Sequence, residues 1–317
     1  MTLISIVVPT HNEILNVPIL YKHVAAVFEK LSGYDFELIF SDDSTDTTPQ
    51  VIHDLHQADS RVKLVRLSRR FGQSIAIAAG IDCASGDAVV IMDADLQDPP
   101  EILPEMIDRW RQGYEVIYVQ RANASTSRSY RAFAFVFYRL LRSIASIEIP
   151  VDAGEFRFLD RKVVEYLKKL TEHTRYMRGL TMLPGFRQTS IRIQRSERLQ
   201  GQTNYNFKRS VLVALDGILS FSTLPLRLGA LLGFVITALG LVAGVVHLAW
   251  RLVDPAISGP GWPILIAVLI VGGLQLLVMG IIGEYLARIF VEVQNRPVYW
   301  VDYKLGFDRL EATASQK

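Results

Sequence analysis

Residues 88–101 read Ala88-Val89-Val90-Ile91-Met92-Asp93-Ala94-Asp95-Leu96-Gln97-Asp98-Pro99-Pro100-Glu101. A short apolar run, β-branched at its centre, stops at two carboxylates one residue apart. A helix start follows, with Asp98 as the cap and the prolines in the first turn. A strand this apolar on both faces belongs in a sheet covered by helices on both sides.

Similar runs recur on the N-terminal side and just beyond: Leu3–Val8, Phe36–Phe40, Val62–Leu67 and Val116–Val119. Helical patterns lie between them, roughly Asn16–Leu31, Thr47–Gln57, Gln73–Ala84 and Glu101–Arg111. This alternation predicts an α/β domain with a mostly parallel sheet. Ligands of such sheets bind beyond the carboxyl ends of the strands. That rule selects Pro9–Glu13, Ser41–Asp46, Ser68–Gly72, Asp93–Gln97 and Gln120-Arg121, all polar.

Asp93 and Asp95 can converge on one hard cation, Mg²⁺ or Mn²⁺, shared with a ligand's phosphates, with Gln97 adding an oxygen. Helix capping is the competing reading, and Asp98 fits that role better than Asp93 does. No Gly-x-Gly-x-x-Gly follows the first strand, and no Gly-x-x-x-x-Gly-Lys-Ser/Thr occurs anywhere. A dinucleotide oxidoreductase and a P-loop phosphohydrolase are therefore disfavoured.

The chain has 317 residues, 50% hydrophobic and 21% charged, and the apolar excess is unevenly placed. Leu228–Trp250 contains no Asp, Glu, Lys or Arg, and neither does Pro255–Gly283. A bilayer core of ~30 Å needs about 20 helical residues, so both stretches fit a transmembrane hairpin. Arg198, Lys208, Arg209 and Arg227 precede it, and Arg288 and Arg296 follow it, which predicts a cytoplasmic position for both flanks. Phe207, Val211, Leu212, Leu215, Ile218 and Leu219 repeat at helical spacing, as in an amphipathic helix on the membrane surface. The alternative is a helix packed on the soluble domain. Leu3–Val8 is short and stops at Pro9, unlike a signal peptide.

A net charge of +2 gives no sign of a nucleic-acid binder, and Cys83 as the single cysteine excludes an internal disulfide framework. The six histidines lack the close pairing of zinc sites.

The sequence resembles glycosyltransferase family 2. The nearest subgroup is the polyprenyl-phosphate sugar transferases, which includes dolichol-phosphate mannose synthase and the membrane-anchored GtrB-type glucosyltransferases. The matching stretches are Ser5–Glu13, Asp42–Asp46, Leu67–Gly72, Ala79-Gly80, Gly86-Asp87 and Met92–Glu101. They continue through Val151–Arg157, Arg178-Gly179, Arg198–Tyr205, Gly283–Tyr285 and Arg296-Pro297, nearly the whole chain. The resemblance implies a Rossmann-like GT-A domain, then the amphipathic interfacial helix and the two-helix hairpin. It implies a nucleotide-sugar donor whose base and ribose meet Pro9, Thr10, His11, Glu13 and Asp43. Asp93, Ala94 and Asp95 would hold the diphosphate through a divalent metal, with Asp93, Asp95 and Gln97 as the metal set. Arg121 and Arg198 would face donor or acceptor phosphates, and Arg69 and Asn204 complete the nucleotide-sugar-binding set. Three positions depart from the family pattern: His11 replaces Tyr, Arg70 replaces Asn, and Asn204 replaces a lysine.

The implied reaction is metal-dependent transfer of a hexose, glucose from UDP-glucose as first choice, to undecaprenyl or polyprenyl phosphate. A single displacement would invert the anomeric centre and give a β-linked product. Catalytic candidates are Asp95 and Arg198 at the donor, with Asp152 and Glu155 as acidic residues that remove a residual proton or position the acceptor. A turn cap for Asp152 and an ion pair with Arg157 for Glu155 are the alternatives. GDP-mannose as donor, or a non-catalytic nucleotide-sugar sensor, are the competing functions. A processive synthase is disfavoured because no Gln-x-x-Arg-Trp motif is present. The expected organisation is a cytoplasmic catalytic domain at 1–206, an amphipathic juxtamembrane helix at 207–226, membrane helices at 227–250 and 262–286 joined by a short external loop at 251–261, and a cytoplasmic juxtamembrane helix and tail at 287–317. The protein is expected in the inner membrane as a homo-oligomer, a tetramer by resemblance.

Overall fold

Eight strands form one sheet in the computed structural model, which describes residues 1–122, 153–170, 172, 177–194, 224–253 and 262–307. In chain order the elements begin β1 (Thr2–Thr10), α1 (Asn16–Phe28), β2 (Tyr34–Asp42), α2 (Thr48–Ala58), β3 (Val62–Leu67), α3 (Gln73–Cys83) and β4 (Ala88–Ile91). A 3-10 turn, Pro100–Ile102, leads into α4 (Leu103–Arg111), β5 (Val116–Ala122), β6 (Ala153–Asp160), α5 (Arg161–Lys169), α6 (Met177–Leu180) and β7 (Gln188–Gln194). Two long helices, α7 (Leu224–Val253) and α8 (Trp262–Gln294), precede the last strand, β8 (Val301–Leu305).

The strand order is β7-β5-β6-β4-β1-β2-β3-β8. Pairing is parallel for β1 with β2 and β4, β2 with β3, and β5 with β7; it is antiparallel where β6 or β8 takes part. All strands but β6 and β8 therefore point one way, and β1–β5 end at the same sheet edge. The predicted mostly parallel sheet is present, with two additions. β6 lies between β4 and β5, and β8 is an antiparallel edge strand on β3.

The pattern of side chains explains the layers. Ile4, Ile6 and Val8 alternate onto one face of β1, where they join Val17, Leu20 and Val24 of α1 and Met106 and Ile107 of α4 in the core. Val7 faces the other way, toward α3. A Cβ on Gly80 would lie 2.4 Å from Val7 Cγ1, so only glycine lets α3 lie this close to β1. Asp160 caps α5 by accepting from the Lys162 N–H at 2.8 Å.

The described residues form two compact units, one before Val211 and from Pro297 onward, the other from α7 to Arg296. In the second, α7 and α8 are long and apolar enough to cross a membrane, over Leu228–Val246 and Ile270–Gln294. Almost none of either stretch is buried, as it would be in a soluble core helix. Both helices run past the uncharged stretches that predicted them: α7 takes in Arg227 and Arg251, and α8 takes in Glu284, Arg288 and Glu292. The two pack on each other where Gly229 meets Val278. The predicted amphipathic run Phe207–Leu219 lies outside the described residues.

Candidate active site

Three loops meet at the carboxyl ends of β1, β2 and β3, and two buried carboxylates tie them together. Asp42, the last residue of β2, accepts from Thr10 Oγ1 of β1 at 2.9 Å and from the Ser44 N–H at 3.2 Å. The Arg66 guanidinium of β3 also donates to Asp42, and its second arm reaches the Ser44 carbonyl at 2.6 Å. Asp43 accepts from the backbone N–H groups of Phe71 and Gly72 at 3.1 and 3.3 Å. His11 Nδ1 lies 2.8 Å from Asp43 Oδ1 and 3.2 Å from the Asp43 carbonyl. Both neighbours are acceptors, so Nδ1 carries the proton and donates.

Backbone strain concentrates here. Asn12 has φ 61° and uses its amide oxygen to accept from the Thr45 N–H at 2.9 Å. Gly72 has φ 95° and ψ 160°, a region essentially reserved for glycine, and it opens α3. Glu13 is placed by its own N–H, which donates to Thr48 Oγ1 at 3.0 Å, and by Asn16 Nδ2, which donates to its carboxylate at 2.6 Å.

The Asp-x-Asp turn adjoins these loops past the end of β4. Asp93 and Asp95 are half-buried, while Ala94 and Gln97 are buried. Gln73, the first residue of α3, donates from Nε2 to Asp93 Oδ1 at 2.6 Å. The Gln97 N–H donates to Asp95 Oδ1 at 3.2 Å. Leu96 between them has φ 58°, a costly conformation for a bulky side chain, so the turn is held against local preference. Among the described residues no three His, Cys, Asp or Glu side chains gather as a metal cage. Two carboxylates and an amide oxygen form an oxygen-only set that suits a hard cation whose remaining ligands come from a phosphate.

The other predicted residues divide by position. Pro9 and Thr10 end β1, and Arg69 stacks its guanidinium on the Phe71 ring with 4.0 Å to the centroid. Arg121 lies near the end of β5, at the same sheet edge. Glu155 is half-buried on β6, two residues before Arg157, which pairs with Ile91. From Tyr118 to Gln120, β5 faces β6 residues Arg157 to Ala153, so β6 bulges around Glu155 beside the Asp-x-Asp turn. Asp152, Arg198 and Asn204 lie outside the described residues. The sequence reading missed Gln73 and Arg66 as site residues. Gln73 had a signal in its place directly after Gly72; Arg66 read as one polar residue inside a strand.

The model of Glycosyl transferase family 2 matches residues 5–167, which include every loop just described. The chain belongs to that family. Its likeness to relatives extends over almost its full length. An uncharacterized glycosyltransferase of Synechocystis sp. is 41% identical, covering 97% of each chain. The uncharacterized glycosyltransferase YkcC of Bacillus subtilis is 40% identical, over 96% of this chain and 94% of the relative. The SfII prophage-derived bactoprenol glucosyl transferase of Shigella flexneri is 38% identical, over 93% of this chain and 96% of the relative.

Proposed function

We propose that this family 2 member transfers glucose from UDP-glucose to a polyprenyl phosphate at the cytoplasmic face of the inner membrane. One observation carries the reading. The likeness to a bactoprenol glucosyl transferase runs through the catalytic unit and both long apolar helices, so the two chains share the part that would meet a lipid.

The reaction forms a bond from an acceptor phosphate oxygen to the sugar's anomeric carbon and breaks the bond from that carbon to the nucleoside diphosphate. The acceptor phosphate, with a second pKa of ~6, is mostly dianionic at pH 7. Glu155 and Asp152 therefore serve mainly to orient the acceptor and remove a residual proton. A single displacement inverts an α-linked donor to a β-linked product. Asp93, Asp95 and Gln97 would hold Mg²⁺ or Mn²⁺, which when bound neutralises charge on the leaving diphosphate. Arg69, Arg121 and Arg198 would add bidentate contacts to phosphate oxygens, a task that suits planar guanidinium groups. Asp43, gripped by three donors, presets the loops that would receive base and ribose (Pro9, Thr10, His11, Glu13).

Lengths and connectivity support this membrane arrangement. Helix α8, with 33 residues, spans about 50 Å at 1.5 Å per residue, more than the ~30 Å core. Its charged end from Glu284 onward then lies beyond the hydrocarbon. The described residues up to Gln194 and those from Pro297 onward belong to one compact unit, which supports a hairpin that returns the chain to the side it left.

The test is a transfer assay with membranes holding the full chain, undecaprenyl phosphate and radiolabelled UDP-glucose, GDP-mannose, UDP-galactose and UDP-N-acetylglucosamine in parallel. Label is expected in the lipid fraction from UDP-glucose, in a β-linked product. Preferential transfer from GDP-mannose would replace the donor. Nucleotide-sugar binding without transfer from any donor would make the protein a sensor.

A further inference from the structure

The chain that leaves α8 returns to the catalytic sheet beside the donor loops. Asn295, with φ 45°, and Pro297 stop the helix, as a left-handed residue and a following proline do. Five residues after Gln294, the Tyr299 hydroxyl donates to Asp82 Oδ2 in the last turn of α3 at 2.7 Å. The Ser68 N–H, first in the loop after β3, donates to the Trp300 carbonyl at 3.0 Å. β8 then runs antiparallel along β3, pairing Leu67 with Val301, Arg66 with Tyr303 and Leu64 with Leu305.

The register shifts between Arg66 and Leu67, where Asp302 of β8 is passed over. Such a bulge bends a strand and re-aims the residues beyond it, and these features collect beside active sites. Here it falls between two working residues: Arg66 grips Asp42, and the loop from Ser68 supplies the Phe71 and Gly72 N–H groups that grip Asp43. Without β8, β3 would be an edge strand and Ser68 would lose its partner. Helix α3 would keep its tether at one end and lose it at the other. Its first residue, Gln73, bonds Asp93, and its last turn bonds Tyr299.

We propose that Tyr299–Leu305 is a positioning element of the donor site, holding the Ser68–Gly72 loop and α3 in the arrangement that receives the nucleotide. The segment's bonds to Ser68 and Asp82 reach the site through the loop and the helix. The inference rests on the nucleotide-sugar reading of the site.

Hydrogen exchange on the full-length protein in lipid nanodiscs tests it, with UDP and GDP added separately. The nucleotide that binds should slow exchange in residues 68–72 and also in residues 299–305, since coupling between two sites is reciprocal. Protection confined to 68–72 would overturn the positioning role and leave the donor reading intact. Protection in neither segment with either nucleotide would overturn both. In steady-state assays Tyr299→Phe should raise the donor KM roughly fivefold, the weight of one hydrogen bond. Saturated kcat and the lipid-phosphate KM should stay unchanged, and the melting temperature should fall by only a few degrees. An unchanged donor KM, or an equal rise in both KM values, would refute the assignment.

Discussion

At the scale of single residues, the two edges of the sheet do different work. At the carboxyl edge, Asp95 sits in a turn whose next residue, Leu96, is held at φ 58°. Its carboxylate is one of the direct ligands in the proposed metal set. Asp95→Asn keeps the shape and removes the charge, so transfer should fall by more than about 10²-fold, the order lost with one preorganised electrostatic contact. Membrane insertion should be intact, as judged by carbonate extraction beside the lipid-transfer assay. Full activity would discard the metal assignment. At the opposite edge, buried Glu37 binds Lys63 Nζ at 2.7 Å and accepts from the Ser5 hydroxyl and the Ser85 N–H. Burial pushes its carboxyl up, but the bonds from Lys63, Ser5 and Ser85 together hold it below the ordinary Glu value. A depressed folded value means this stabilisation is complete above the unfolded value of about 4.3 and is lost as pH falls through the folded one. Glu37→Gln should cost ~2 kcal/mol at pH 7 and flatten the acid limb of a plot of melting temperature against pH. A variant as acid-labile as the parent would place the acid sensitivity elsewhere.

At the scale of elements, periodicity located the first five strands and the helices between them, because each strand is a mostly apolar run that ends at a polar loop. Predicted Val62–Leu67 coincides with β3, and predicted Gln73–Ala84 differs from α3 by one residue. β6 was not legible: Ala153–Asp160 mixes Glu155, Arg157 and Asp160 with Phe156 and Phe158, and its burial depends on insertion between β4 and β5. The pairing that buries Arg157 against its strand neighbours, with Nη1 donating to Thr181 Oγ1 at 2.5 Å, is a tertiary fact that no local pattern encodes. The role of α3 is similar. Its sequence says helix, but only the packing shows that Gly80 is where it meets the sheet. Gly80→Ala should cost ~1–3 kcal/mol through overpacking against Val7, as read by chemical denaturation. Val7→Ala in the same chain should recover part of that loss. Strictly additive losses in the double variant would place the strain elsewhere.

At the scale of the whole molecule, the site's parts were legible one loop at a time, and their assembly was not. Asp42 and Asp43 stood out as an acidic turn, yet their work is to join three loops through Thr10, Arg66, His11 and the 71–72 backbone. Partners more than 20 residues apart leave no trace in local spacing. The return of the chain to β3 was equally hidden, because Val301-Asp302-Tyr303-Lys304-Leu305 is too short and mixed to announce an edge strand. That return shapes the test of the hairpin. Deleting Leu228–Ile282 joins Arg227 to Gly283 and keeps both β7 and β8, so the donor site should survive. Nucleotide-sugar affinity, measured calorimetrically, should then match that of the full chain. Transfer is a different matter, because a long polyprenyl tail confines its phosphate to the bilayer plane, and an enzyme held at the same plane meets it at a raised effective concentration. Losing that confinement should lower kcat/KM for a long-chain polyprenyl phosphate by ~10²-fold. A short, water-soluble prenyl phosphate should be used almost as well as before, since it never depended on the membrane. Undiminished transfer to the long-chain lipid would show that the hairpin anchors the protein without serving the acceptor.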